Sequence, residues 1–597
     1  MKQKNVIMIV LDSVSYDFTK KTKCKACSMP FLHSLMKKGI NAINIYSEAP
    51  YTEAALVSLL CGDNTLDKTG HMKRNLNHKS ILQIFEENNY NIFSNAYQPA
   101  IYPSGQMHEF KNKYYNFPFL FSQVWDYRLK YFSELHEINE KEIELVINIM
   151  NDNFKAWTNF FKDIDNKSEN MNLIYDTLNL DEFESNQKEL KKEYEKFEKD
   201  KKNYVLQLLE QKKSHPLAKI KNYQELHRVD KEFKKKIEKK YTPLLKKILL
   251  KNFLLNIKNN RMSIIKIKNF IKAGEYKTLT RYFMNYLNAL YDRDLINRLK
   301  LYDRVKMVPS LYKMLNHFVN WQDKQESDKP FFAYIHVEDN HFPETFFTYD
   351  VEDEKLIDLE FDEIKEFLST ITSDYKGSIA YDLSLHYSDN TIKRFFDILK
   401  KKDLLKDTII VITADHGFSY YYNPIRERFV TNYYNETYHI PLAIYKNGFE
   451  PKKLDKFYNS KDIVPTILDL AGIENNYNMN SKSMLRFAGR DYALIEFMGG
   501  GCPHYYRRDI ILGIRNRKYS LVLSIPLRNF KEHKYLSFYD LEKDPFENNN
   551  LAYSKIDKKN IQKELNIIKK RYNEIKENIL KGGYYKWRLI ENWITIY

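Results

Sequence analysis

The sequence predicts an α/β catalytic domain that is interrupted by a helical insertion and followed by a small α+β subdomain. Three segments, "NVIMIVLD", "KPFFAYIHVEDNH" and "DTIIVITADHG", contain nearly continuous apolar runs that are followed directly by acidic residues. Such runs are typical of strands that are buried on both faces of a parallel sheet. The predicted divisions are residues 1–125 and 326–475 for the two parts of the catalytic domain, 126–325 for the insertion and 476–597 for the C-terminal subdomain.

The predicted insertion and the predicted C-terminal subdomain both follow from changes in composition along the chain. Between about residues 125 and 325, long lysine-rich stretches such as "KELKKEYEKFEKDKKNYVLQLLEQKK" have a helical period and almost no Gly or Pro. This insertion could cover the active site, bind a large substrate or serve as a solvated spacer. After about residue 473, "DYALIEF" and "ILGIRNRKYSLVLS" predict short antiparallel strands, and "IDKKNIQKELNIIKKRYNEIKENIL" predicts a closing helix.

Composition limits the classes of protein to which the chain can belong. With 43% hydrophobic and 15% aromatic residues, the 597-residue chain has the composition of folded domains. Its 95 Lys and Arg against 79 Asp and Glu leave a formal charge of +16, which favours anionic polymers or an anionic membrane surface as partners, or reflects the lysine usage of an AT-rich genome. No nucleic-acid recognition motif is present, so no nucleic-acid partner is expected. Because no apolar stretch is long enough to cross a bilayer and no signal-peptide cleavage site follows the start, we predict a cytoplasmic protein with peripheral contact at the inner membrane face.

Polar residues at the predicted strand ends indicate a metal site. Asp12 ends the first strand, and Asp415 and His416 directly follow the last. Because the carboxyl ends of parallel strands meet at one edge of a sheet, these side chains are expected to lie together. A carboxylate and an imidazole suit zinc or manganese well, and magnesium or calcium less well.

Thr52 stands immediately before the apolar helical segment "EAALVSLLCG". At this place its hydroxyl could be an N-cap, which threonine often provides. It could equally be a nucleophile, since the positive end of the helix dipole favours negative charge and a metal lowers the pKa of a hydroxyl. A capping box would require Glu or Gln at position 55, where the sequence has Ala55.

Six segments in one order resemble the sulfatase branch of the alkaline phosphatase superfamily. They are "NVIMIVLDSVSYD", "APYTEAALVSLLCG", "HVEDNHFP", "ITADHGF", "KDIVPTILDLAGI" and "YDLEKDPFENNNLA". The resemblance implies a three-layer α/β/α sandwich with a catalytic divalent cation bound by Asp12, Thr52, Asp415 and His416.

The resemblance also implies roles for three further histidines. His341 and His439 fall at positions that could protonate the leaving oxygen or bind a second metal. His336 either faces the substrate or is a histidine of the core.

A glycine-rich segment supplies further candidates for substrate binding. In "FMGGGCPHYYRRD", Gly500, His504 and Arg507 could bind phosphate oxygens, or could belong to a turn with solvated arginines.

The chain departs from the sulfatase pattern at the nucleophile. Sulfatases use a formylglycine made from Cys or Ser in a Cys-x-Pro-x-Arg motif, whereas this chain has Thr52 followed by "EAAL". Threonine cannot form that aldehyde, so sulfatase activity is not expected. A second departure is Ser13, which replaces an acid of the usual Asp-Asp pair.

Threonine at this position resembles the phosphoethanolamine and glycerophosphate transferases and the nucleotide pyrophosphatases. The predicted function is therefore transfer of a phospho-substituent through a covalent phospho-threonine. The donor would be a phosphodiester or another activated phosphate, and the acceptor a capsular or lipooligosaccharide glycan. The alternatives are a phosphodiesterase or phosphonate hydrolase and a catalytically inactive scaffold.

Overall fold

The computed structural model describes the chain in segments. The described residues are 4–19, 28–67, 79–96, 180–210, 311–325, 329–341, 347–350, 355–358, 379–418, 433–498, 509–554 and 558–581, with single helical positions between 140 and 158 and between 268 and 276.

The strands are β1 Asn5–Leu11, β2 Ile40–Tyr46, β3 Asn91–Ala96, β4 Phe331–Val337, β5 Phe347–Asp350, β6 Lys355–Asp358, β7 Thr408–Ala414, β8 Leu442–Tyr445, β9 Lys452–Asn459, β10 Ala493–Met498, β11 Asp509–Arg515, β12 Tyr519–Pro526 and β13 Lys534–Asp540. The helices are α1 Pro30–Lys38, α2 Thr52–Cys61, α3 Ile81–Glu87, α4 Leu180–Lys199, α5 Lys201–Glu210, α6 Leu311–Asp323, α7 Ile379–Lys401, α8 Asn435–Tyr438, α9 Ile463–Ala471 and α10 Gln562–Lys581.

A seven-stranded mixed sheet forms the centre of the catalytic domain, with strand order β3-β4-β1-β7-β8-β2-β9. Strands β3, β4, β1 and β7 are parallel, β8 is antiparallel to both of its neighbours, and β2 is parallel to β9. Every residue of β4 and β7 is buried, as is every residue of β1 after Asn5. The predicted α/β fold class is confirmed.

Helices cover both faces of this sheet. Adjacent residues of β4 point to opposite faces, so Phe331 packs edge-on against Phe318 of α6 while Phe332 stacks on Phe85 of α3 at 4.3 Å between ring centroids. Helices α1 and α6 pack against α7, whereas α2 packs against α3 and α9. The central domain therefore has the three layers implied by the resemblance.

The C-terminal strands form a separate four-stranded antiparallel sheet in the order β10-β11-β12-β13. Helix α10 packs on this sheet through Ile568, Tyr572 and Ile575, which share a buried cluster with Ile514 and Leu523. A short antiparallel hairpin, β5–β6, lies between β4 and α7 in the chain.

Three helices with described bounds fall within the predicted insertion. Helices α4 and α5 pack against each other. Helix α6 instead contributes Leu311, Met314 and Phe318 to the main hydrophobic core, so this last part of the predicted insertion packs with the catalytic sheet. None of the helices in the described segments combines the length and the apolar character that crossing a membrane requires.

A buried charge network joins the C-terminal subdomain to the catalytic domain. The guanidinium of Arg571 on α10 lies 2.7 Å from Asp67 Oδ1 and 2.6 Å from Glu496 Oε2 on β10. Lys461 Nζ lies 3.3 Å from Glu48 Oε1. Burial raises the pKa of Glu48 to about 7 although Lys461 opposes the shift, and the nearby Glu496 adds to it.

This network holds both ends of α2. Glu48 belongs to the loop that precedes the helix, and its Oε2 accepts a hydrogen bond from the backbone N–H of Thr65 in the loop that follows. The backbone N–H of Leu66 in turn donates to Glu496 Oε1. The two loops that flank α2 are therefore fastened to each other and to β10.

We expect Arg571→Met to lower the free energy of unfolding by roughly 3–5 kcal/mol, because removal of one partner leaves buried carboxylates without their counter-charge. Urea denaturation followed by circular dichroism measures the change. Arg486→Met is the matched control, since Arg486 forms a 2.8 Å pair with Asp469 but is 79% exposed. The control is expected to cost less than about 1 kcal/mol, and equal losses in the two variants would contradict the prediction.

Asp382 on α7 is expected to make stability depend on pH. The residue is fully buried, its Oδ1 accepts a hydrogen bond from Ser28 Oγ, and burial raises its pKa to about 7 despite that bond. The folded protein therefore binds this proton more tightly than the unfolded chain does, so stability falls as pH rises from about 4 to about 7.

Asp382→Asn removes this titration. We expect the variant to be more stable than the wild type above about pH 7 and to lose that advantage near about pH 4, where the wild-type carboxyl is protonated. Thermal midpoints across this range test the prediction. Asp397→Asn, an exposed position on the same helix, is the control. A stability difference between the variant and the wild type that does not change with pH would contradict a raised pKa of Asp382.

Candidate active site

The ends of three neighbouring strands converge at one edge of the central sheet. Leu11 of β1 is level with Val337 of β4 and Ala414 of β7. The residues that follow β1 and β7 are Asp12 and Asp415, so these carboxylates leave the sheet at the same height.

Together with His336, which precedes Val337, these two carboxylates form a buried cluster. Asp12, His336 and Asp415 each offer one ligand atom, and the three atoms lie within 4.8 Å of one another. His336 Nε2 is 3.7 Å from Asp415 Oδ2. His416 joins the cluster, with its Nε2 3.6 Å from Asp415 Oδ2 and 3.7 Å from Asp12 Oδ1.

Thr52 completes the group from the neighbouring helix. It is the first residue of α2, and its hydroxyl lies 3.2 Å from Asp12 Oδ2 and 3.3 Å from His416 Nε2. The N-cap position is occupied by Tyr51, which makes no side-chain capping bond. Of the two alternatives that the sequence left open for Thr52, this geometry favours a hydroxyl directed at the cluster over a helix cap.

Burial and mutual charge govern protonation in the cluster. Burial raises the pKa of Asp415, and the adjacent Asp12 carboxylate raises it further. Burial opposes ionisation of His416, but the carboxylates of Asp415 and Asp12 outweigh it and raise the pKa of that imidazole. Burial lowers the pKa of His336 despite the same two carboxylates.

Contacts on the far side of each ring orient the two imidazoles. His416 Nδ1 lies 2.8 Å from the carbonyl oxygen of Gly417, so Nδ1 carries the donated hydrogen. In the neutral ring the lone pair is then on Nε2, the atom that faces the cluster. Tyr334 Oη lies 3.3 Å from His336 Nδ1 on the same face of β4.

These residues fit a divalent cation. The donor set comprises two carboxylates, two imidazoles and a hydroxyl, a combination that suits zinc or manganese. Asp415 Oδ2 is fully buried and accepts no hydrogen bond from the described part of the chain. Two adjacent buried carboxylates of this kind are stabilised by a nearby positive charge. All four residues predicted as ligands, Asp12, Thr52, Asp415 and His416, lie in this group.

His336 requires a correction. Sequence analysis left it between a substrate-binding residue and a histidine of the core, but its side chain is fully buried beside Asp415. A contact with substrate is therefore replaced by a place among the candidate cation ligands. The available signal was its position one residue before the end of an apolar strand.

His341 remains a candidate for proton transfer. It follows β4, is partly exposed, and lies close enough to His336 to lower the pKa of that residue by charge. Its backbone N–H donates to Glu338 O at 3.1 Å.

His439 lies between two tyrosine rings. Its ring stacks on Tyr46 at 4.7 Å and lies 4.3 Å from the ring of Tyr16. Its Nε2 donates to the backbone oxygen of Ile43 at 2.9 Å, and Asn435 Nδ2 is 3.5 Å from its Nδ1. The ring is thus held within the fold by its neighbours, and the catalytic role of His439 stays a prediction. The predicted substrate residues Gly500, His504 and Arg507 lie outside the described residues.

Comparisons with known proteins relate parts of the chain to sulfatases and to lipoteichoic acid synthases. A family model described as Sulfatase matches residues 280–473, and one described as N-sulphoglucosamine sulphohydrolase, C-terminal matches residues 426–577. Lipoteichoic acid synthase 2 of Bacillus subtilis (strain 168) is 28% identical over 274 residues, covering 44% of this chain and 40% of that protein. An arylsulfatase of Clostridium perfringens (strain 13 / Type A) is 26% identical over 214 residues, covering 35% of this chain and 42% of that protein.

The chain thus spans about two fifths of the length of these curated relatives. Among solved structures, a phosphonate monoester hydrolase of Agrobacterium radiobacter aligns with a TM-score of 0.46 and 13% identity, covering 96% of each chain. The matched family models and these relatives support a place for the chain in the sulfatase-like branch of the alkaline phosphatase superfamily.

Proposed function

We propose that the protein is a metal-dependent phosphotransferase that uses Thr52 as its nucleophile and forms a covalent phospho-threonine. The observation that carries this proposal is the position of the Thr52 hydroxyl, at the start of α2 and 3.2 Å from Asp12 Oδ2. The absence of a Cys or Ser at this place argues against a formylglycine, and hence against sulfate ester hydrolysis.

In the proposed site, Asp12, His336, Asp415 and His416 would hold the cation beside Thr52. A bound divalent cation supplies a lowered pKa for a neighbouring hydroxyl and positive charge beside the phosphoryl oxygens. Asp12 Oδ2 accepts the hydrogen bond of the Thr52 hydroxyl and is the group placed to take its proton. Thr52 begins α2, and the N-terminal end of a helix favours negative charge such as that of a transferring phosphoryl group.

The first half of the reaction transfers the group to the protein. Thr52 Oγ1 forms a bond to phosphorus while the bond to the leaving oxygen breaks, and that oxygen takes the electron pair. His341 donates a proton to the leaving oxygen. In the second half, an acceptor hydroxyl gives its proton to the now neutral His341 and attacks the phosphorus, and Thr52 Oγ1 leaves and recovers its proton from Asp12.

The proposed substrates are an activated phospho donor, such as a phosphodiester, and a glycan acceptor of the capsule or lipooligosaccharide type. Similarity to lipoteichoic acid synthase 2 supports transfer to an acceptor, since that protein is named for a synthesis and not for a hydrolysis. The charge of +16 supports a polyanionic acceptor or donor.

The covalent step can be tested by intact-protein mass spectrometry. After incubation with Mn²⁺ and a panel of phosphodiesters followed by acid quenching, we expect the wild type to gain the mass of one phospho-substituent. Thr52→Ala should gain none, because it lacks the nucleophilic oxygen, whereas Thr52→Ser keeps a hydroxyl and should gain the same mass. An adduct that persists in Thr52→Ala would rule out this nucleophile. A wild type that neither binds metal nor gains mass would favour a scaffold.

The acceptor can be tested with the same donors and purified capsular and lipooligosaccharide glycans. We expect glycan to increase the rate of donor consumption and to gain the substituent that Thr52 carried, because release from Thr52 needs an acceptor hydroxyl. Nuclear magnetic resonance of ³¹P in the glycan fraction detects the product, and Thr52→Ala provides the blank. Rapid hydrolysis of small phosphodiesters with no transfer to any glycan would identify a phosphodiesterase or phosphonate hydrolase instead.

A further inference from the structure

Ser13, the residue after Asp12, contacts both carboxylates of the cluster without being one of its candidate ligands. Its hydroxyl donates to Asp12 Oδ1 at 2.7 Å, and its backbone N–H donates to Asp415 Oδ1 at 3.2 Å. One residue therefore bridges acids that come from two neighbouring strands. Ser13 is fully buried, so water does not compete for these bonds.

The hydrogen bonds from Ser13 determine which carboxylate oxygens face the other residues of the cluster. Asp415 Oδ1 also accepts the backbone N–H of His416 at 2.7 Å, so this oxygen is held by two donors. Asp415 Oδ2 then faces the imidazoles of His336 and His416, and Asp12 Oδ2 faces Thr52. Donors on the Oδ1 atoms fix the rotation of both carboxylates and offset part of the repulsion between them.

The backbone of Ser13 adopts a conformation that its side chain disfavours. Its φ is +63°, in the left-handed region that glycine enters readily and serine rarely does. A buried contact retains this conformation, because Tyr381 Oη on α7 donates to Ser13 O at 2.6 Å. The ring of Tyr381 is itself fixed edge-on against Phe18, with centroids 5.0 Å apart.

We propose that Ser13 is a positioning residue that orients the two carboxylates for the cation, and that Tyr381 holds Ser13 in the required backbone conformation. This inference rests on the proposed function, since it presupposes that the cluster binds a divalent metal. If the Ser13 side chain only filled space, neither its hydrogen bond to Asp12 nor its left-handed backbone conformation would be needed. The Ser13 hydroxyl can make this hydrogen bond, whereas a carboxylate in this place has no hydrogen to donate to Asp12 at neutral pH.

The test is a comparison of metal affinity with stability in the full-length protein. Mn²⁺ binding is measured from the electron paramagnetic resonance signal of free Mn²⁺, and thermal midpoints are measured with chelator present. Ser13→Gly removes the hydroxyl while suiting the left-handed conformation. We expect its dissociation constant for Mn²⁺ to rise about tenfold or more, with no fall in the metal-free thermal midpoint.

Tyr381→Phe provides a second variant that acts on the same residue from α7. Loss of its hydroxyl frees the Ser13 carbonyl, so Mn²⁺ affinity is expected to fall in the same direction. Tyr572→Phe is the matched control, because Tyr572 Oη also donates to a backbone carbonyl, that of Leu527, at 2.7 Å in the C-terminal subdomain. The control should leave Mn²⁺ affinity unchanged.

The outcomes separate this inference from the proposed function. If the wild type binds neither Mn²⁺ nor Zn²⁺, the candidate cation site and the proposed function both fail. If the wild type binds Mn²⁺ and Ser13→Gly binds it equally well, the positioning role is overturned while the metal site stands. A loss of affinity in Ser13→Gly that is matched by Tyr572→Phe would also overturn it, because the effect would then be one of general stability.

Discussion

The in-register pairing of β1 with β4 on one side and β7 on the other is the constraint on which the site depends. Because side chains alternate between the faces of a sheet, a slip of one residue in either pairing would send one cluster residue to the opposite face. The same slip would disturb strands whose side chains are buried on both faces. The same strand register is therefore needed both to pack the apolar core and to bring the acids together.

The second requirement is the position of α2, which brings Thr52 to the strand ends. This helix begins without a side-chain cap, and its flanking loops are fastened instead by buried ion pairs and backbone hydrogen bonds. Arg571 supplies much of the positive charge from the last helix of the chain. The C-terminal subdomain thus helps to hold the helix that begins at Thr52.

The cluster itself combines groups that are costly to bury. Two carboxylates lie side by side without solvent, and each raises the free energy of ionising the other. The surrounding protein offsets this cost with donors that come mainly from the backbone and from Ser13. Oxygens left facing the imidazoles and the hydroxyl are then available for a cation. Burial of the two carboxylates thus lowers the stability of the folded protein at this place, and a bound positive charge would offset that loss.

The three central strands and the acids that follow them could be predicted from the amino-acid sequence, because burial on both faces of a sheet requires a continuous apolar run and each of these runs is followed by an acid. The sequence did not determine the roles of His336 and His439, since a histidine in an apolar segment has the same pattern whether it faces a cation or a tyrosine. Only the tertiary structure shows what surrounds each ring: the Asp415 carboxylate for His336 and two tyrosines for His439. It also decided the bridge made by Ser13 and the network around Arg571, whose partners are distant in the chain and are joined only by sheet register and helix packing.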